Sequence, residues 1–183
     1  MIEKIFEKCY VWKYKLVSLK LKWKKWDYAC VFKWDFNSIW WTLSIWIDKN
    51  KNIVLINIYR HWIDAKSWEF VRWGLEKEFS EEENALKEFE EETGINEKPI
   101  NIQKLGVLNQ DNGILWNYLS YILLEFEDLT KFDIYGEKDG SYEEIFGVKL
   151  FSKEEFEYMI KNGKIKDACT ISAYGFLKLY NKI

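Results

Sequence analysis

Three glutamates near the middle of the chain, Glu88, Glu91 and Glu92, have the types and spacing best suited to chemistry. On a helix turning about 100° per residue, Glu88 and Glu92 lie one turn apart on the same edge, with Glu91 about 60° from Glu88. Carboxylates held this close repel one another. A hard divalent cation that prefers oxygen ligands relieves that repulsion. Ala85, Leu86 and Phe89 form an apolar stripe beside them, which sets the acidic edge at the border of the core. On charge alone the ordinary alternative is a solvated acidic face, because Glu is a good helix former and charge runs usually face water.

The elements that would position these residues are legible on both sides. Ser80-Glu81-Glu82-Glu83 is a capping box, so a helix starts there; it runs to Thr93, and Gly94 is the expected left-handed stop. Upstream, from about residue 10 to 60, apolar and polar positions alternate in short runs. Thr42-Leu43-Ser44-Ile45 and Ile53 to Tyr59, separated by Asp48-Lys49-Asn50-Lys51-Asn52, read as antiparallel strands and a hairpin. Downstream, strands are expected over Ile102 to Leu108 and Tyr118 to Phe126, joined by Asn109 to Gly113. The acidic, glycine-bearing segment Asp128 to Glu144 is expected to be a mobile loop before a last strand, Ile145 to Phe151. Two helices close the chain, one capped at Ser152 with Glu155 in capping-box spacing, the other from about Asp167 to Tyr180. This order implies an α/β layered fold with a mixed sheet.

The bulk numbers fit one domain of 183 residues, with 48% hydrophobic and 31% charged residues arguing for a packed core under a solvated surface. Lys and Arg total 27 against 30 Asp and Glu, a net charge of −3, which offers no basic excess to hold a polynucleotide. Cys9, Cys30 and Cys169 are odd in number and far apart, so neither a disulfide framework nor a zinc site is indicated and a reducing cytoplasm is expected. No run approaches the roughly 18 apolar residues of a membrane span. His61, the single histidine, is read as a surface or packing residue.

The stretch Lys87-Glu88-Phe89-Glu90-Glu91-Glu92-Thr93-Gly94-Ile95 resembles the second half of the Nudix box, GX5EX7REUXEEXGU with U a bulky apolar residue. Glu88, Phe89, Glu91, Glu92, Gly94 and Ile95 match, and Lys87 stands in place of the arginine. The first half departs from the pattern: Trp73 falls on the opening glycine, with Gly74 one residue late, and Phe79 falls on the first glutamate. Beyond the box, the chain is similar to the ADP-ribose pyrophosphatase branch of the Nudix hydrolases over roughly residues 40 to 180. Ile58-Tyr59-Arg60 resembles its QYR segment, Trp68-Glu69-Phe70-Val71-Arg72 its WEFPRG segment, and Gly163-Lys164-Ile165-Lys166-Asp167-Ala168-Cys169-Thr170 its closing GxIxDAxT turn.

The resemblance implies a Nudix-type α/β/α sandwich in which Glu88 and Glu92 ligate Mg²⁺, or Mn²⁺, with Glu91 completing or bridging a second ion and also contributing to catalysis. It implies that Arg60 and Arg72 bind substrate phosphate, and that the general base comes from the acidic loop, Glu144 first and Glu143 second. The implied substrate is a nucleoside diphosphate derivative such as ADP-ribose or another nucleoside diphosphate sugar; the alternative is a nucleotide-binding module with weak or no hydrolysis. Members of the branch are commonly homodimers, so residues 1 to 40 are expected as an N-terminal strand extension contributing to a partner's site.

Eleven tryptophans against nine glycines is an unusual ratio, and Trp23, Trp26, Trp62, Trp73 and Trp116 stand where turns or the box favour glycine. Either a codon read here as Trp is read as Gly in the source organism, as where UGA is reassigned, or the lineage is tryptophan-rich. A chain made with these tryptophans is expected to be a weakened or dead enzyme on a recognisable fold.

Overall fold

A computed structural model describes residues 2–11, 14–21, 27–33, 39–60, 63–75, 78–111, 115–116, 118–132 and 145–183, with side chains for 41–60, 63–75, 78–111, 118–132 and 145–183. Contacts divide the chain into two units, one formed by Met1–Trp41 with Val107–Leu119, the other by Thr42–Gly106 with Ser120–Ile183. In the first, β1 (Ile2–Val11), β2 (Tyr14–Leu21) and β3 (Asp27–Lys33) form an antiparallel meander. A two-residue strand, β9 (Leu115–Trp116), joins β3 in parallel at Val31 and Phe32. Strands therefore run through residues 2–11, 14–21 and 27–33.

The second unit is built around the larger sheet. Its backbone order is β11 (Ile145–Phe151), β5 (Ile53–Arg60), β4 (Ile39–Asp48), β10 (Tyr118–Phe126) and β8 (Asn101–Leu108), with β6 (Ala65–Glu69) beside β5 and β7 (Val71–Gly74) beside β4. The predicted hairpin is β4 and β5, which pair Trp46 with Val54 and Ile47 with Ile53. Asp48 holds its turn, accepting from the Asn52 backbone N–H and side-chain amide and from the Leu129 N–H. The strands β6 and β7 were not expected from the pattern: they are only five and four residues long, and Phe70 breaks the alternation between them.

Alternation along the central strands sends side chains to two faces, and a helix covers each. Ile122, Leu124 and Phe126 of β10 join Trp46, Val54, Ile56 and Ile58 in one core cluster with Ala85 and Phe89 of α1 (Glu81–Thr93). The opposite residue Tyr121 meets Phe176 of α3 (Ala168–Leu179), ring centroids 5.0 Å apart. α2 (Lys153–Lys161) packs through Phe156 against Phe70 and Tyr174. Phe89 fixes α1 most firmly, stacked on Phe126 at 4.4 Å and edge-on to Trp46 at 5.1 Å. Truncating such a buried ring typically costs about 3–5 kcal/mol. Both predicted capping boxes form, at Ser80 with Glu83 and at Ser152 with Glu155, and Gly94 closes α1 at φ 71°.

Candidate active site

Three short segments separate in sequence meet around one buried carboxylate. Arg60 ends β5, Glu69 ends β6, and Arg72 lies in β7. The β5–β6 register, Arg60 opposite Ala65 and Ile56 opposite Glu69, puts Arg60 and Glu69 on the same face of the pair, and the long Arg60 side chain spans the distance between them. Glu69 accepts from Arg60 through Nε at 3.2 Å and Nη2 at 2.6 Å, and from Arg72 Nη2 at 2.6 Å. The second anchor of Arg72 is Asp167, 3.1 Å from Nη2, and its Nη1 donates to Cys169 Sγ at 3.1 Å.

Asp167 is held in place by the start of α3. It is the N-cap, accepting from the Thr170 N–H at 2.7 Å and the Thr170 hydroxyl at 2.8 Å. Thr170 Oγ1 in turn accepts from the Phe70 N–H at 3.1 Å, which ties the β6–β7 junction to the helix. The predicted closing turn thus positions an arginine from 97 residues before Cys169 in the chain. Gly163, at φ +65°, gives the left-handed bend that returns the chain from α2 to this point.

Electrostatics reinforce the geometry. Burial pushes the Glu69 pKa up, but the hydrogen bond from Arg60 and the charges of Arg72 and Arg60 outweigh it, so the carboxyl lies below its ordinary 4.5. For Arg72, burial works against the charge, yet Asp167, Cys169 and Glu69 raise its pKa further above the normal range. Both groups are therefore fully ionised at neutral pH. The side chain of Arg60 is 35% exposed and that of Arg72 17%, so the cluster is open on one side.

That side is a cavity of about 660 Å³ lined by Arg60, Lys66, Glu69, Arg72, Lys164, Lys166 and Asp167, with Ile63, Ala65, Ser67, Gly163 and Ala168. Five cations face two anions there, in a protein whose net charge is −3. Such a concentration of donors suits an anionic ligand with several oxygens, and the planar guanidinium groups suit phosphate. Glu69, Asp167, Lys66, Lys164 and Lys166 were not singled out from the sequence. The signals present were an acid three residues before Arg72 and an Asp three residues before Thr170.

The acidic edge of α1 does not line this cavity. Glu88 and Glu92 are 7% and 5% exposed, one turn apart, whereas Glu91 is exposed and its Oε1 lies 3.5 Å from Lys87 Nζ. Lys87 Nζ also sits over the Phe79 ring, 5.7 Å from its centroid. Lys87 and Phe79 thus form a cation–π contact beside the acidic edge. Among the described residues no three His, Cys, Asp or Glu side chains converge as a metal site. The donor chemistry nonetheless fits a hard cation. Glu88 and Glu92 offer buried carboxylate oxygens, and Asn84, one turn earlier on the same edge, is fully buried with both side-chain polar atoms unpartnered among the described residues. Glu143, Glu144, His61 and Trp62 lie outside the described residues, as does the side chain of Trp116.

Trp46 and Trp73 differ in how they are accommodated. The Trp46 indole N–H donates to Ser44 Oγ at 2.5 Å, and Ser44 donates to the Ala85 carbonyl of α1 at 3.1 Å. Trp73 packs against the core cluster, but its buried Nε1 has no partner among the described residues.

No family model and no curated protein matches the sequence. A crystal structure described as that of an ADP compounds hydrolase is similar over all of this chain and 94% of that one, with a TM-score of 0.73 and 13% identity. The chain has that fold, a mixed-sheet α/β sandwich as expected from the sequence. Among the described residues no helix is long and apolar enough to cross a membrane.

Proposed function

We propose that the protein hydrolyses the diphosphate bond of a nucleoside diphosphate derivative, ADP-ribose or another nucleoside diphosphate sugar, to a nucleoside monophosphate and a sugar phosphate. The observation that carries this reading is the Arg60–Glu69–Arg72 cluster opening on a cationic cavity, in a fold shared with a hydrolase of ADP compounds. Arg60 and Arg72 bind and orient phosphate oxygens. Glu69 and Asp167 hold the two guanidinium groups so that little order is lost on binding. Lys66, Lys164 and Lys166 add charge at the rim and draw in the anion.

Glu88 and Glu92, joined by Glu91 when it turns from Lys87, would hold Mg²⁺ or Mn²⁺, which when bound supplies positive charge against the diphosphate. Glu144, or else Glu143, takes the proton from the attacking water. The water oxygen bonds to one phosphorus, the bridging P–O bond breaks, and the leaving phosphate keeps the electron pair. A homodimer in a reducing cytoplasm belongs to the same reading.

Incubation with ADP-ribose and Mg²⁺ tests it: AMP should accumulate, and EDTA should stop it. A second reading, nucleotide binding without turnover, is favoured by Phe79 and Trp73 in the box and by the Lys87–Glu91 pair. Measurable binding of ADP-ribose with no nucleoside monophosphate released from it or from any other nucleoside diphosphate sugar would decide for that reading.

A further inference from the structure

One buried polar side chain on α1 is used neither by the core nor by the reaction proposed above. Asn84 is 0% exposed, and neither Oδ1 nor Nδ2 has a hydrogen-bond partner among the described residues. A buried carboxamide with both ends unsatisfied is costly, and an apolar residue would serve packing better at that point. Its neighbours indicate what it is for. Asn84, Glu88 and Glu92 are at successive spacings of four, about 40° apart around the helix axis, so they share an arc of about 80°. All three are under a tenth exposed. Helical side chains lean toward the N-terminus, so the Glu88 carboxylate reaches over the turn that Asn84 begins.

We propose that Asn84 is a further member of the cation site on α1, a neutral oxygen donor beside Glu88 that meets the ion or one of its waters. This rests on the reading that the Glu88–Glu92 edge binds a divalent cation. A carboxamide oxygen is a hard donor of the kind Mg²⁺ and Mn²⁺ accept, and it adds a contact without adding a charge to an edge already crowded with carboxylates. The ion would in turn satisfy an amide that has no partner among the described residues.

The test is Mn²⁺ binding, followed by the loss of the free-ion paramagnetic resonance signal, for the intact protein and for Asn84→Ala, Asn84→Leu, Asn84→Asp and Glu88→Gln. Expected are a Kd raised about tenfold in Asn84→Ala and Asn84→Leu, retention of binding in Asn84→Asp, and a smaller Mn²⁺-induced rise in melting temperature for the Ala and Leu variants than for the intact protein. Where Asn84→Leu does not fold, Asn84→Ala carries the measurement. If the intact protein binds Mn²⁺ and Glu88→Gln abolishes it, while Asn84→Ala and Asn84→Leu bind as tightly as the intact protein, the assignment of Asn84 is wrong and the cation site stands. If the intact protein binds no Mn²⁺ at all, the cation reading falls and Asn84 with it.

Discussion

The two halves of the candidate site are in different states of assembly. Around Glu69 the charges alternate in sign, so Arg60, Glu69, Arg72 and Asp167 hold one another in place without a ligand. Along α1 the carboxylates predominate: Glu88 and Glu92 are buried, Glu91 is turned to Lys87, and Asn84 has no hydrogen-bond partner among the described residues. A cluster of mixed sign is its own template, whereas a cluster of carboxylates needs a cation to converge. The phosphate-facing half is thus preorganised by folding, and the other half is expected to be organised by what binds it.

The largest effect in breaking this contrast should come from Glu69. Glu69→Ala removes the shared partner of two arginines, one of them largely buried, and should cost about 3–5 kcal/mol of stability, read as a drop in the denaturant midpoint. Glu88→Gln keeps the shape of its side chain and should leave the melting temperature within a few degrees. AMP release should fall about a hundredfold, equivalent to about 2.7 kcal/mol of barrier. Equal losses of stability in the two variants would erase the distinction between a structural half and a ligand-dependent half.

Arg60→Ala should raise KM for ADP-ribose about tenfold with a smaller change in kcat, because this half-buried arginine at the cavity binds ground state and transition state alike. The pH dependence sharpens the same point. The folded pKa of Glu69 is below its ordinary 4.5, so its contribution is present above that unfolded value and is lost as pH falls through the lower folded value. Stability measured by urea unfolding should decline on acidification below about pH 4.5, and Glu69→Gln should decline less. Trp73→Gly, the smallest change in activity expected, should raise AMP release several-fold by restoring the glycine of the motif that the sequence resembles, and should lower the melting temperature because the indole packs against the core cluster.

Much of this arrangement was legible in the sequence, for physical reasons that differ by element. The helix with its capping box at Ser80 and stop at Gly94, and the strands Tyr118–Phe126 and Ile145–Phe151, follow from local signals that the fold has no cause to override. The strands β6 and β7 escaped notice because four or five residues give too little alternation to register a period. Arg60 and Arg72 were found through the segments that carry them, but nothing in those segments marked Glu69: a carboxylate between two arginines is informative only once strand pairing sets it on the face that Arg60 crosses. Asn84 was hidden for a similar reason, since an Asn in an acidic helix reads as surface until its burial is known.

The most direct test compares AMP release from ADP-ribose by the intact protein and by Glu88→Gln, each with saturating Mg²⁺ and with EDTA, alongside ADP-ribose binding by Arg60→Ala. Turnover confined to the intact protein with Mg²⁺, and weakened binding in Arg60→Ala, is the predicted result. Turnover that persists in EDTA or survives Glu88→Gln undiminished would contradict a metal-dependent edge on α1, and undiminished binding in Arg60→Ala would contradict the cavity as the place where the diphosphate is held.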